Sequence, residues 1–151
     1  MNNVTKSKSG FTIIEVVLVL AIAGLIFLIV FLAVPALQRS QRDTQRKSDS
    51  SRALSSLSNY KSNNRGNLPA SVAERGAFET GYLKVPAEFQ NPTGGTYARV
   101  WNTTSVPTPS EVQIAVGRIC AGESLTAAGA GARNVAVRVG LEGGGIYCTS
   151  E

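Results

Sequence analysis

The sequence contains no histidine, and no aspartate follows Asp49. Without histidine there is no Ser-His-Asp or Cys-His pair, and the commonest general base and metal ligand are both missing. Glu74, Glu79, Glu88, Glu111, Glu123 and Glu142 are scattered along the chain rather than clustered as a calcium site requires. No catalytic residue, no metal and no cofactor is therefore expected. Gly129-Ala130-Gly131 and Gly143-Gly144-Gly145 lack the Lys-Ser/Thr of a phosphate loop and the strand–helix setting of a dinucleotide site, so they read as turns. Glycine and proline are nearly absent from the first part of the chain. Between Thr12 and Tyr60 there is one of each, Gly24 and Pro35.

Charge is also unevenly spread. The formal net charge is +5, but Lys6 and Lys8 precede Gly10, and the chain after Gly10 carries only +3. That excess sits in Gln38–Arg52, with Arg39, Arg42, Arg46, Lys47 and Arg52 against Asp43 and Asp49. The remainder, Ala53–Glu151, is nearly neutral, which makes the high pI a property of one short stretch and weak evidence for a nucleic-acid-binding domain. The two cysteines, Cys120 and Cys148, are both distal; an even pair suggests a disulfide if that part is extracytoplasmic, and two free thiols are the alternative.

What is present is a long apolar run. Val16–Val34 is nineteen residues without a polar side chain, and roughly twenty apolar residues suffice to cross a bilayer as a helix. Glu15 stands at its head, where a carboxylate costs about 2.5–3.5 kcal/mol on insertion scales and is usually functional and paired. A cut after Gly10 would give Phe11 a free ammonium, the opposite charge that Glu15 lacks. An ordinary secretory signal fits poorly: the run is too long and no small-residue cleavage site follows it before Pro35. A plain signal anchor explains the length and the basic flank but neither Glu15 nor Gly10-Phe11.

The segment Gly10-Phe11-Thr12-Ile13-Ile14-Glu15, with its short basic leader and its apolar run containing Gly24 and ending at Pro35, resembles the class III signal of type IV prepilins. The resemblance implies that a membrane aspartyl peptidase cuts the Gly10–Phe11 bond and that Phe11 becomes N-methylated. It implies an α+β fold in which a long N-terminal helix, half transmembrane and half amphipathic, packs on a small antiparallel sheet of three or four strands. The expected division is a cleaved leader (1–10), a hydrophobic transmembrane and filament-core helix (11–37), a polar-to-amphipathic extension (38–60) and a globular head (61–151). Expected partners are other pilins in a homo-oligomeric helical filament, with Phe11 and Glu15 serving assembly, together with the prepilin peptidase, the pilus assembly machinery and the membrane. The protein would wait in the cytoplasmic membrane as a single-pass chain and then become extracellular filament, serving adhesion, surface motility or DNA uptake. A pseudopilin of a secretion or competence apparatus is the alternative; a merely tethered binding protein is a third class.

The helix is expected to run from Thr12 to about Tyr60, about 73 Å at 1.5 Å per residue. Gly24 and Pro35 are its weak points, where unwinding on assembly competes with a simple kink at Pro35. The basic cluster Arg39–Lys47 lies on the side the positive-inside rule disfavours. Gln38–Arg52 has no hydrophobic residue and reads either as a solvated neck or as a layer where subunits exchange salt bridges, with Arg39–Asp43 and Asp43–Lys47 at i,i+4 spacing. Ala53, Leu54, Leu57 and Tyr60 recur at helical spacing and should pack on the head. A short helix is expected over Ala70–Leu83, with Val72, Ala73, Phe78, Tyr82 and Leu83 as core candidates. Strands are expected over Thr96–Trp101, Glu111–Ile119, Asn134–Val139 and Gly145–Cys148. Arg99, Arg118, Arg133 and Arg138 could form a basic sheet face, with Tyr97 and Trp101 for stacking, that suits DNA or an acidic glycan; a solvated face is the commoner meaning.

Overall fold

The computed structural model describes residues 10–129 and 133–151. Lys6, Lys8, Ala130 and Gly131 lie outside the described residues. Two helices and six strands are found among those described: α1 (Ile13–Asn63), α2 (Val72–Gly81), β1 (Ala98–Trp101), β2 (Glu111–Val116), β3 (Arg118–Ala121), β4 (Ser124–Ala127), β5 (Val135–Gly140) and β6 (Ile146–Ser150). The chain forms two compact units, Met1–Gln38 and Arg39–Glu151. Helix α1 contributes to both, and Gly24 and Pro35 lie inside it without interrupting it.

The second unit is α+β. Its main sheet has the order β1-β2-β5-β6. The β2–β5 and β5–β6 ladders are antiparallel, and β1 joins β2 in parallel as an edge strand. Period-2 patterning sets the register: Val112 faces Val139, Ile114 faces Val137 and Val116 faces Val135. Side chains two apart share a sheet face, so these residues make one apolar face. Ala53, Leu57 and Tyr60 of α1 cover it together with Phe78, Leu83, Phe89 and Tyr97. α2 is nucleated by a capping box, Ser71 and Glu74 each bonding the other's backbone N–H. It supplies Phe78, whose ring meets Tyr60, Tyr82 and Trp101 at centroid distances of 5.8, 6.1 and 5.9 Å. Val72 and Ala73 are exposed rather than core, because the buried face of this helix is centred on Phe78.

Two strand expectations need correction. The run Glu111–Ile119 is not one strand. Gly117 takes φ +70°, a conformation open to glycine and costly for other residues, and β3 turns away to pair with β4 in a separate two-stranded ribbon. Cys120 therefore sits on that ribbon, and its disulfide to Cys148 joins the ribbon to β6, with Cα atoms 5.8 Å apart. The second face of the main sheet is not solvated either. All six residues of β5 are buried, because Ser105–Pro109 lies over them. A Cβ added at Gly140 would fall on the Pro107 carbonyl, so only glycine admits this crossing.

The disulfide bridges a sequence separation of 28, for which loop-closure entropy predicts about 3–4 kcal/mol of stability. The Cys120→Ser, Cys148→Ser double variant is expected to lose that amount in denaturant unfolding of the full chain. An unchanged midpoint would show that the bridge is dispensable.

Candidate functional site

The first unit is an apolar helix surface with a carboxylate at its start. From Ile13 to Leu37 every residue except Ala23 is exposed. The helix is long and apolar enough to cross a membrane, and its most apolar window is not buried. An apolar surface on all sides belongs in lipid or among other helices. Phe11, just outside the first turn, is 90% exposed. Thr12 caps the helix: its backbone N–H donates to Glu15 Oε2 at 2.9 Å, its hydroxyl to the same oxygen at 2.8 Å, and Glu15 N–H reaches Thr12 Oγ1 at 3.4 Å. Thr12-Ile13-Ile14-Glu15 is thus a capping box. It holds the carboxylate one turn from Phe11 and leaves Glu15 Oε1 without a bond among the described residues. Around Gly10 and Gly24 a Cβ would meet nothing within 4 Å, so neither glycine is required by packing within the chain.

The matching comparison falls on this segment. Residues 5–31 match the family model of the prokaryotic N-terminal methylation motif. This match and the long apolar helix support a type IV pilin-type prepilin. No curated protein and no solved structure matches it. The motif supports a pilin or pseudopilin class, points to a structural protein, and implies processing by a prepilin peptidase and pilin assembly. The apolar helix fits a membrane-anchored pilin.

The polar stretch Gln38–Arg52 is not simply a solvated neck. Asp43, Arg46, Asp49 and Ser50 are buried, and Arg46 is fully enclosed. The carboxylate of Asp43 accepts the backbone N–H groups of Glu142 and Gly143, both at 2.8 Å, one on each oxygen. Arg46 donates to Asp43 (3.1 Å), Glu142 Oε1 (2.6 Å) and the Pro109 carbonyl (2.9 Å). Arg42 forks onto Glu142 at 2.5–3.0 Å. The turn between β5 and β6 is thereby clasped to α1, and the i,i+4 pairs Arg39–Asp43 and Asp43–Lys47 are replaced by the i,i+3 pair Asp43–Arg46. Further along, the Tyr97 hydroxyl donates to Asp49 at 2.8 Å and its ring is buried against Phe89, so it offers no surface for a ligand to stack on. No signal within Gln38–Arg52 marks these partners, which lie up to 100 residues away.

The proposed basic sheet face is broken up. Arg99 pairs with Glu79 at 2.8 Å. Arg138 is buried, with burial pushing its guanidinium pKa down, and donates to Gln113 Oε1 and the Ser105 carbonyl at 2.8 and 2.5 Å. Arg118 and Arg133 remain at least partly exposed.

The clasp has an acid limit. Hydrogen bonds from Arg42, then Arg46, hold the Glu142 carboxyl pKa at about 2, below its ordinary 4.5. A depressed carboxyl contributes stability that is present above the ordinary pKa and lost as pH falls through the folded one. The loss therefore falls between about pH 4.5 and pH 2. Asp49, raised by burial, works in the opposite sense. Comparison with Glu142→Gln cancels Asp49's contribution. The variant should be less stable than wild type at pH 7 and converge on it by pH 2 in thermal unfolding. A constant gap across that window would remove Glu142 as the titrating group.

Proposed function

We propose that this prepilin is a structural subunit of a type IV pilus. Its leader is cut after Gly10, Phe11 is methylated, the segment 11–37 holds the chain in the cytoplasmic membrane, and assembly moves that helix from lipid into a helical filament core. The observation that carries the reading is the pairing of an exposed apolar helix with a carboxylate fixed at its first turn. Lipid solvates such a helix but not Glu15, whereas neighbouring helices supply both apolar contact and a cation, most simply the Phe11 ammonium of an adjacent subunit. Gly24 and Pro35 are the positions where α1 would yield during that transfer. The filament would serve adhesion, surface motility or DNA uptake. Immunogold labelling of sheared surface material with antibody to the head tests this. Label along filaments is the expected result; a processed chain confined to membranes would favour a pseudopilin of a secretion or competence apparatus.

A further inference from the structure

Helix α2 carries a cation that its own chain does not satisfy. Among the described residues Arg75 meets no carboxylate, and its Nε is buried without an acceptor. Its guanidinium lies over the half-buried Trp101 ring, 5.2 Å from the centroid. Helical spacing offers it Glu79, four residues on. That carboxylate instead accepts from Arg99 Nε at 2.8 Å and from Trp101 Nε1 at 3.2 Å. Glu74 closes the capping box of α2. A guanidinium stacked on a ring keeps its donors in its own plane, a fork that matches a carboxylate. Beside it, Val72, Ala73, Gly76 and Ala77 form an exposed outer face of α2. An added Cβ at Gly76 would meet nothing within 4 Å, so packing within the chain does not require a small residue there.

The complementary charge stands across the main sheet. Glu123 is exposed and, among the described residues, has no cation partner. It lies in the turn between β3 and β4, where Ile146 N–H donates to its Oε1 at 3.1 Å and so holds the carboxylate in place. The ribbon that carries it is fastened to β6 by the Cys120–Cys148 bridge, whereas Arg75 lies over Trp101 of β1. β1 and β6 are opposite edges of the sheet, three strand spacings of about 4.8 Å apart. Trp101 shares a row with Ile114, Val137 and Thr149, while Ile146 pairs with Gly140, three residues further along β5. The two charges are therefore diagonal to one another and do not meet within one chain. Arg39, Lys47, Arg65 and Arg133 are exposed, and a solvated cation gains little from an ion pair. Arg118 sits on the same ribbon as Glu123. Arg75 is already ordered on Trp101, so less freedom is lost when it binds. It also covers a ring face that a sugar would stack on, which favours a carboxylate from a polypeptide.

We propose that Arg75, held on Trp101, receives Glu123 of a second copy of this chain. The contact joins unlike surfaces from opposite edges of one sheet, so it repeats head to tail and builds a ring or an open helical assembly rather than a two-fold dimer. The proposal rests on the filament reading and names the surfaces of the head that meet. The test is charge reversal in the full chain. Arg75→Glu and Glu123→Lys each set like charges against one another and should each cut sheared filament by about tenfold. The chain carrying both reversals should recover to within about twofold of wild type. A second readout needs no filament. In Arg75→Lys, a carbodiimide couples the introduced amine to a carboxylate that touches it. In membrane or sheared fractions it should link two copies through the peptide that contains Glu123. Glu123→Gln keeps an acceptor for Ile146 N–H and should abolish that link. Linked copies in membranes with no surface filament would uphold the contact and count against the pilus reading. Abundant filament unaffected by either reversal would overturn the contact and leave the pilus reading intact. No recovery in the double reversal, no link in either fraction, or copies linked through another carboxylate would also overturn it.

Discussion

Glu15→Ala is expected to leave cleavage after Gly10 intact and to cut sheared filament by roughly tenfold or more, because an uncompensated charge in an apolar core is among the costliest single defects. In the alanine variant that charge is the Phe11 ammonium left without its carboxylate. Two roles of Glu15 must be separated, since the same side chain completes the capping box with Thr12. Glutamine serves a capping box as well as glutamate. Glu15→Gln therefore keeps the cap and removes only the charge. If charge pairing between subunits is the function, Glu15→Gln assembles as poorly as Glu15→Ala. If the cap alone matters, Glu15→Gln assembles normally and the ammonium pairing is wrong. Quantitative immunoblots of sheared and membrane fractions distinguish the two.

Asp43→Ala should strongly destabilise the second unit. It strips the partner from two backbone N–H groups in the β5–β6 turn and takes one of Arg46's carboxylates away. Removing one member of a buried pair costs about 3–5 kcal/mol. For a domain of this size that lowers the unfolding midpoint by about 10–25 °C. Lys47→Ala, four residues on and exposed, should change it little. Circular dichroism of the detergent-solubilised chain measures both. Equal, small shifts would mean that the clasp contributes little.

The valine alternation of β5 and the facing pattern of β2 were legible as strands because period 2 follows directly from backbone geometry. The segment that matches the methylation motif was legible because Gly10, Phe11 and Glu15 lie within six residues and the apolar run needs no tertiary context. The cysteine pair was legible from its even count, although the ribbon that carries Cys120 was not: β3 and β4 are four residues each, and the break depends on the backbone at Gly117. The clasp was hidden for a different reason. Arg42, Asp43 and Arg46 look like a solvated helix face until Glu142 and Gly143 arrive from the far end of the chain, and a composition window cannot see that distance. Arg138 misled in the same way, since alternation predicts a solvated second face and only the crossing of Ser105–Pro109 over Gly140 buries it.

The most direct measurement is the intact mass of the protein recovered from sheared surface filaments. A chain beginning at Phe11 and carrying one added methyl group is the predicted result. A chain still beginning at Met1 would contradict it and reduce residues 11–37 to a simple membrane anchor.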